Sequence, residues 1–223
     1  MNTEKIFKKN GAKFISPAID ITKKLDKIKI FVFDWDGVFN QGYKSQNYHS
    51  PFSEADSMGI NMLRFGFWLE NKKIPPTGII TGMNNPAAKF FAQREHLNFI
   101  FEGIKHKKQA INKICKAYKI KPNEIAFIFD DILDISAAKI CGLRFMVKHT
   151  DRPLFQKIVT KNNFCDYISY NTVENQAVRE ISELILGLKG IYENTINNRI
   201  EYSKKYQNYI EKRQKITPTE MHK

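Results

Sequence analysis

The sequence has few cysteines and no long apolar run. Its 223 residues include three cysteines, Cys115, Cys141 and Cys165, which lie far apart and form no C-x-x-C pair. An odd number of scattered cysteines argues against a disulfide framework and favours a reducing, cytoplasmic setting. No N-terminal apolar stretch has the length of a signal peptide, and no segment approaches a membrane-spanning helix. We therefore expect a soluble, intracellular protein without a membrane partner.

The sequence also lacks the marks of a nucleic-acid module. It has neither a zinc-finger spacing nor the aromatic pattern of an RNA-binding sheet. Its 36 Lys and Arg against 23 Asp and Glu give a formal charge of +13, but the lysines are mixed with Ile and Asn, as in "KKLDKIKI". This mixture indicates a solvated basic surface, and charge alone identifies no partner. The apolar fraction of 42% is enough for a packed core, which excludes wholesale disorder.

Short apolar runs alternate with helical patterns through residues 29–187. The runs at 29–33, 78–81, 98–101 and 124–131 lack strict alternation, which is typical of strands that are buried on both faces. Strands and helices joined by short connections predict an α/β fold with a doubly wound, largely parallel, Rossmann-like sheet.

Three segments surround or interrupt this predicted domain. Residues 1–28 form an N-terminal extension, and "GYKSQNYHSPFS" predicts a small hairpin at 43–52. In residues 188–223, Tyr192, Ile196 and Ile200 step by four, so we expect a long amphipathic helix that ends in a frayed tail, "KITPTEMHK".

Polar side chains follow three of the predicted strands. Asp34 and Asp36 come after the first strand, Thr81 after the second and Asp130 after the fourth. Ligands of open α/β sheets bind outside the carboxyl ends of the strands, where these groups should meet. Carboxylates are the hard oxygen ligands that Mg²⁺ prefers, and an aspartate can also act as a nucleophile towards phosphorus. Each acid pair alone would also fit an ordinary polar turn.

The stretches "DWDGVFNQG", "IITG" and "FDDILD" occur in the order and spacing of the haloacid dehalogenase superfamily motifs. Further stretches, "MGINMLRF", "FEGIKHKKQAI" and "AVREISELIL", resemble the 3-deoxy-D-manno-octulosonate 8-phosphate phosphatase group of that superfamily, whose relatives include nonulosonate 9-phosphate phosphatases. The resemblance covers about residues 29–187.

The resemblance implies catalytic roles for four residues. Asp34 is the expected nucleophile, and Asp36 is the expected general acid and base. Thr81 is expected to hydrogen-bond the phosphoryl oxygens, and Lys107 to neutralise their charge. Lys105 is the alternative for the lysine role, because "KHKK" allows a shift of register.

The resemblance also implies a magnesium site. Its expected ligands are Asp34, Asp130 and the backbone carbonyl of Asp36, with Asp131 supporting them and Gly82 beside the phosphate. The intervals between the motifs have no room for a separate cap domain. The resemblance to capless relatives implies a tetramer. We therefore expect a homo-oligomer in which the hairpin at 43–52 is a candidate contact.

Several positions depart from the group's pattern. Ala55 and Met83 stand where arginines are usual, "VENQ" around Asn175 replaces a Gly-Arg stretch, and Phe129 replaces a glycine. Fewer positive groups should weaken the binding of an anionic sugar acid. We also expect the ring of Phe129 to narrow the pocket or to shift Asp130.

Three functions remain open from the sequence. The leading one is a magnesium-dependent phosphomonoester hydrolase that acts on a small phosphorylated sugar acid. The second is a phosphatase-like scaffold with little turnover, used for assembly or partner binding. The third, a nucleic-acid 3′-phosphatase, is suggested by the charge of +13 and by an open site.

Overall fold

The computed structural model describes residues 2–46 and 48–221. Ten strands occur in this part of the chain: β1 (Lys13–Phe14), β2 (Ile30–Phe33), β3 (Lys44–Ser45), β4 (Tyr48–His49), β5 (Thr77–Ile80), β6 (Phe99–Phe101), β7 (Ile125–Phe129), β8 (Leu143–Lys148), β9 (Tyr167–Thr172) and β10 (Thr219–Met221). The α-helices are α1 (Thr3–Lys9), α2 (Ala18–Leu25), α3 (Glu54–Asn71), α4 (Pro86–Arg94), α5 (Lys107–Tyr118), α6 (Ile135–Ala138), α7 (Pro153–Lys161), α8 (Ala177–Leu188), α9 (Tyr192–Ile200) and α10 (Lys204–Arg213).

Eight strands form one sheet in the order β1-β9-β8-β7-β2-β5-β6-β10. All neighbours in it are parallel except β1, which pairs antiparallel with β9. Helices cover both faces, so the predicted doubly wound α/β fold is confirmed. The chain adds β5 and β6 on one side of β2 and β7, β8 and β9 on the other, so the carboxyl ends of β2, β5 and β7 lie side by side.

The two faces of the sheet bury different sets of side chains, because successive residues of a strand point to opposite sides. Phe31 and Phe33 face a core shared with α3, α8 and α10. Ile30 and Val32 face a second core shared with α5, α6 and α7. Burial on both sides fixes β2 firmly and thereby the position of whatever follows it.

Only small elements lie on the connections between the sheet strands near β2. Strands β3 and β4 form the predicted hairpin, with Lys44 opposite His49 and Ser45 opposite Tyr48. Asn47, within the predicted hairpin, lies outside the described residues. At the start of helix α4 the Asn85 side chain accepts from the Ala87 and Ala88 N–H groups, and Pro86 lies in the first turn. The described residues contain no cap domain, as predicted.

The C-terminal segment is not the single long helix expected from its spacing. Helix α9 ends at Ile200, Tyr202 has a φ of 47°, and the Ser203 side chain accepts from the Tyr206 N–H at the start of α10. The break turns α10 back on the domain, where Tyr206 and Tyr209 pack 5.0 and 5.1 Å from the ring of Phe65. Burying two tyrosines on α3 outweighs the continuity of an exposed helix.

The expectation of a frayed tail is also wrong. Residues Thr219–Met221 form β10, parallel to β6, with Glu220 opposite Ile100. The pairing satisfies backbone groups along an edge of β6 that would otherwise be bare. At the other edge, β1 pairs with β9, so the two extensions bracket the sheet.

No helix within residues 2–46 and 48–221 is long and apolar enough to cross a membrane.

Candidate active site

Asp34 and Asp36 follow β2 directly. The Asp34 N–H donates to the Ile128 carbonyl at 2.9 Å, which extends the β2–β7 pairing by one residue, and the Asp34 side chain is buried. The chain then turns at Gly37, whose φ is 84° and whose N–H donates to the Asn40 carbonyl at 2.8 Å. This turn gives Asp36 a different direction from Asp34, and the Asp36 side chain is 26% exposed.

Gly37 also lies against the carboxylate of Asp130. A Cβ at this position would overlap the Asp130 carboxylate. A glycine is therefore required twice, for the positive φ and for the close approach of two strand ends.

Lys107 is the buried cation of the site. Its ammonium lies 2.5 Å from Asp34 Oδ1 and 2.5 Å from Asp134 Oδ1. Although burial by itself lowers the pKa of Lys107, the Asp34 and Asp134 carboxylates raise it above its ordinary value. Lys105 is exposed, so the structure brings Lys107 and not Lys105 to the aspartates.

Three buried carboxylates gather around this lysine. One oxygen atom each of Asp34, Asp130 and Asp134 lies within 4.8 Å of the others. Burial raises the pKa of Asp34, and the Asp134 charge raises it further; burial likewise raises the pKa of Asp130, against the lowering effect of the hydrogen bond from His149. Asp130 Oδ1 is buried without a hydrogen-bond partner among the described residues. Hard oxygen ligands with a surplus of negative charge fit a divalent cation such as Mg²⁺.

Asp134 is the member of this group that sequence reasoning missed. It is the last acid of "FDDILD", in a short 3₁₀ helix, Ile132–Asp134, and its Oδ2 accepts from the Asp131 N–H at 3.1 Å. The signal was present as a third acid three residues after Asp131, but nothing in the spacing distinguishes it from a helix-capping residue. It does both: it caps this turn and contacts Lys107.

The Asp36 carboxylate lies apart from the three buried acids. Its Oδ2 is 2.5 Å from the Lys44 ammonium, and its Oδ1 is 3.4 Å from the Asn85 side-chain nitrogen. Lys44 belongs to hairpin strand β3, and Asn85 caps α4. Neither contact was predicted. Asp36 thus sits at the edge of the site, between the hairpin and α4.

Thr81 and Gly82 follow β5, next to β2 in the sheet. The Thr81 N–H donates to the Phe101 carbonyl at 2.8 Å, whereas its hydroxyl is buried without a partner among the residues described. A buried hydroxyl left free is costly unless something else satisfies it. Gly82 lines the same cavity as Asp34 and Lys107.

The loop after β8 contributes an arginine and a histidine that sequence reasoning missed. Arg152 Nη1 lies 3.1 Å from Asp130 and 2.7 Å from Asp131, and His149 Nε2 is 3.3 Å from Asp130. Although burial by itself lowers the pKa of His149, Asp130 raises it above its usual value. Arg152 therefore supplies a cation to a site in which Ala55 and Met83 stand at positions where the family usually has arginine. It also holds Asp131 beside Asp130.

The expected obstruction by Phe129 does not occur. Its ring is fully buried and stacks on Phe127 at 5.8 Å, in the core on the α5 side of the sheet. Of the other departures from the family pattern, Met83 does line the site and is 59% exposed, whereas Ala55 and Asn175 do not line it.

These groups surround a cavity of about 270 Å³. Its floor is formed by Asp34, Lys107 and Asp130, and the exposed side chains of Met83 and Leu133 border it. The volume suits a phosphoryl group with a few further atoms, so a larger substrate would extend past Met83 and Leu133 into solvent.

Comparisons with known proteins agree with this geometry. The family model described as haloacid dehalogenase-like hydrolase matches residues 61–142. The 3-deoxy-D-manno-octulosonate 8-phosphate phosphatase KdsC of Haemophilus influenzae is 26% identical over 172 residues, which cover 75% of this chain and 88% of that protein.

Solved structures of similar proteins show the same fold. The 3-deoxy-D-manno-octulosonate 8-phosphate phosphatase from Moraxella catarrhalis, in complex with magnesium, phosphate and KDO, has a TM-score of 0.65 and 26% identity over 80% of this chain and 97% of that one. A cobalt-bound phosphatase of this kind from Haemophilus influenzae has a TM-score of 0.63 and 25% identity over 76% of this chain and 93% of that one.

Proposed function

We propose that the chain is a phosphatase of the haloacid dehalogenase superfamily that hydrolyses the phosphate monoester of a sugar acid, with Asp34 as the nucleophile. The observation that carries this proposal is the contact of buried Lys107 with Asp34 and Asp134, at 2.5 Å each, beside Asp130. A carboxylate that must approach an anionic phosphoryl group needs such fixed positive charge around it.

The residues that would hold Mg²⁺ are Asp34, Asp130 and Asp134, together with the backbone carbonyl of Asp36. When bound, Mg²⁺ would neutralise negative charge on the phosphoryl oxygens. In this proposal Lys107 adds to that neutralisation from the protein side, and the Thr81 hydroxyl, which is buried without a partner among the described residues, donates to a phosphoryl oxygen.

The proposed reaction has two steps, both of which use the carboxylates that follow β2. In the first, Asp34 forms a bond to phosphorus while the bond from phosphorus to the sugar oxygen breaks, and Asp36 gives its proton to that oxygen. In the second, Asp36 takes a proton from water while the water oxygen bonds to phosphorus and the bond from Asp34 to phosphorus breaks, which releases inorganic phosphate and restores the Asp34 carboxylate.

Lys44 must give way before Asp36 can act as an acid. The Lys44 ammonium lies 2.5 Å from Asp36 Oδ2, so this oxygen is engaged in an ion pair and is not free to give a proton to the leaving oxygen. Because Lys44 is on the small hairpin, a movement of the hairpin on substrate binding would free Asp36.

The substrate class rests on the relatives. The similar phosphatases act on 3-deoxy-D-manno-octulosonate 8-phosphate, so this compound or a nonulosonate 9-phosphate is the proposed substrate. Arg152 and Lys44 supply positive charge near the cavity, while Met83 makes one side of it apolar. The apolar side should make selectivity for the sugar acid weaker than a site rich in arginine would give.

A substrate panel tests this proposal. Purified protein with Mg²⁺ is assayed for phosphate release from sugar-acid phosphates, neutral sugar phosphates, nucleotides and 3′-phosphorylated oligonucleotides. We expect turnover of sugar-acid phosphates that is lost in Asp34→Asn and kept in Asp20→Asn, the same change on the remote helix α2.

Each other outcome has a defined meaning. A lack of Mg²⁺-dependent turnover on every compound, in protein that is folded by circular dichroism, would refute the enzymatic proposal and favour a scaffold. A preference for the oligonucleotide that falls steeply with salt would point to a nucleic-acid phosphatase.

We further propose that the protein works as a homotetramer in a reducing cytoplasm. Cys115, Cys141 and Cys165 are free thiols, and Tyr43, beside the hairpin, is 65% exposed. Light scattering coupled to size exclusion measures the mass directly, and a monomer at micromolar concentration would contradict the assembly.

A further inference from the structure

A second and larger cavity lies beyond the amino ends of the central strands, opposite the carboxyl ends that Asp34 follows. Its volume is about 750 Å³, and its wall includes Ile30 at the start of β2 and Pro76 directly before β5. Asp34 follows the end of β2, four residues after Ile30, and Thr81 follows the end of β5, five residues after Pro76. A strand advances by about 3.3 Å per residue, so roughly 13 Å of packed sheet separates this cavity, here called the basal cleft, from the active site.

Aromatic side chains form much of the basal cleft. Phe67 and Trp68 come from the last turns of α3, and Tyr118 from the end of α5. Pro75 and Ile120 complete an apolar wall. Small-molecule sites are typically concave, of 300–1,000 Å³, and lined by apolar and aromatic groups with a few polar ones.

The polar groups of the basal cleft are mostly lysines, and two of them converge on one ring. The ammonium groups of Lys72 and Lys212 lie 5.4 and 5.5 Å from the centre of the Trp68 ring. Both side chains end helices, where cations are favoured, and Lys72 also donates to the Leu69 carbonyl at 3.0 Å. The favourable helix end and the hydrogen bond explain the position of each lysine by itself. They do not explain why two like charges lie near the same ring.

Two nearby lysines do have carboxylate partners. Lys29, also in the basal cleft, lies 2.6 Å from Glu124. Lys189, which stacks on Phe67, lies 3.0 Å from Asp26 and 3.3 Å from Glu70. By contrast, across residues 2–46 and 48–221 no carboxylate lies within ion-pair distance of Lys72 or Lys212.

Trp68 itself has an unsatisfied donor. Its indole N–H is buried and has no hydrogen-bond partner in the described part of the chain. A buried donor without an acceptor is unfavourable, so an acceptor atom that reaches this N–H would stabilise it.

We propose that the basal cleft binds a small anion that carries a flat ring, the chemistry of a nucleoside monophosphate. The phosphate lies between the ammonium groups of Lys72 and Lys212, and the base packs against the aromatic wall of Trp68 and Tyr118. This site is separate from the proposed catalytic function and does not depend on it.

Calorimetric titration of the full chain tests the proposal. The probes are AMP, GMP and UMP, with adenosine as the probe without charge and ribose 5-phosphate as the probe without a base. Asp34→Asn protein in EDTA is used, so that no probe is hydrolysed. We expect saturable binding of at least one nucleotide, at least ten-fold weaker binding of adenosine and ribose 5-phosphate, and affinity that falls as salt is raised.

Matched variants locate the binding site. Lys72→Gln with Lys212→Gln should weaken nucleotide binding at least ten-fold. Lys157→Gln with Lys161→Gln removes the same charge from exposed positions on α7 and should leave binding unchanged. The proposal is overturned if none of the three nucleotides binds, or if the Lys72 and Lys212 variant binds as tightly as the α7 control.

Discussion

Replacing Asp56 by Asn should stabilise the protein above neutral pH. Asp56 lies in the first turn of α3 with a fully buried side chain. Its Oδ1 accepts from the Arg179 N–H at 2.8 Å, near the start of α8, but its Oδ2 is buried without a partner among the described residues. Burial raises the pKa of Asp56 from 3.8 to about 7, and the N–H groups of Arg179 and Val178 oppose this only in part.

The sign follows from linkage. A carboxyl whose pKa is raised by folding binds its proton more tightly in the folded state, so its contribution to stability is fully present below pH 3.8 and is lost as the pH rises through about 7. One pKa unit corresponds to about 1.4 kcal/mol, so the full loss is about 4 kcal/mol, of which about 3 kcal/mol falls between about pH 5 and about pH 8.5.

Urea unfolding at these two pH values measures the effect. Asn keeps the acceptor for the Arg179 N–H and never ionises, so the stability of Asp56→Asn relative to the parent should improve by about 3 kcal/mol from the lower to the higher pH. Asp20→Asn, the same change on α2, is the matched control and should show no such improvement. A difference between Asp56→Asn and parent that stays constant with pH would refute the reasoning.

Three further predictions concern the site and the edge of the sheet. Mg²⁺ should raise the melting temperature, by an amount worth about 3 kcal/mol at a hundred times its Kd, and Asp130→Asn should lose most of this shift in a thermal scan with and without EDTA. Lys44→Met should change stability by less than about 1 kcal/mol, because the pair with Asp36 is about a quarter exposed, and should raise kcat, because Asp36 no longer has to leave this ion pair before it donates its proton; an unchanged or lowered kcat would contradict the role of Lys44. Removal of residues 217–223 should lower the unfolding free energy by about 1–3 kcal/mol and increase light scattering on heating, because it bares the edge of β6; an unaltered melting curve would show that β10 contributes nothing.

Much of the fold follows from local sequence because its strands are buried on both faces. Runs such as "IFVF" and "IAFIF" contain only apolar side chains, and no amphipathic helix produces that pattern. Their ends are therefore visible in the sequence, and the acids that follow them mark the site. Asp34 and Asp130 were found in this way, whereas Lys107 was implied by the family resemblance.

The missed residues have no such mark. Arg152 and His149 reach Asp130 from a loop whose sequence, "HTDRP", resembles any polar turn. Their role exists only because β8 lies next to β7 in the sheet. The strand β10 is also invisible locally, since "TEM" has little preference for a strand and pairs because β6 offers an open edge.

Phe129 illustrates an error that strand geometry corrects. Because it immediately precedes Asp130 in sequence, its ring is expected near the pocket. Neighbouring residues of a strand point to opposite faces, and the Phe129 ring lies in the core with Phe127. Because Phe129 and Asp130 are consecutive, their side chains point to opposite sides, and the Phe129 ring lies away from the site.

Strands β1 and β10 occupy the two outermost places of an eight-stranded sheet. Seven spacings of about 4.8 Å put them roughly 34 Å apart. A donor dye on Lys13 and an acceptor on Glu220 would therefore span the whole width of the sheet, at a separation suited to energy transfer. A change in transfer efficiency would then report on the loss of either outer strand while the middle of the sheet stays folded.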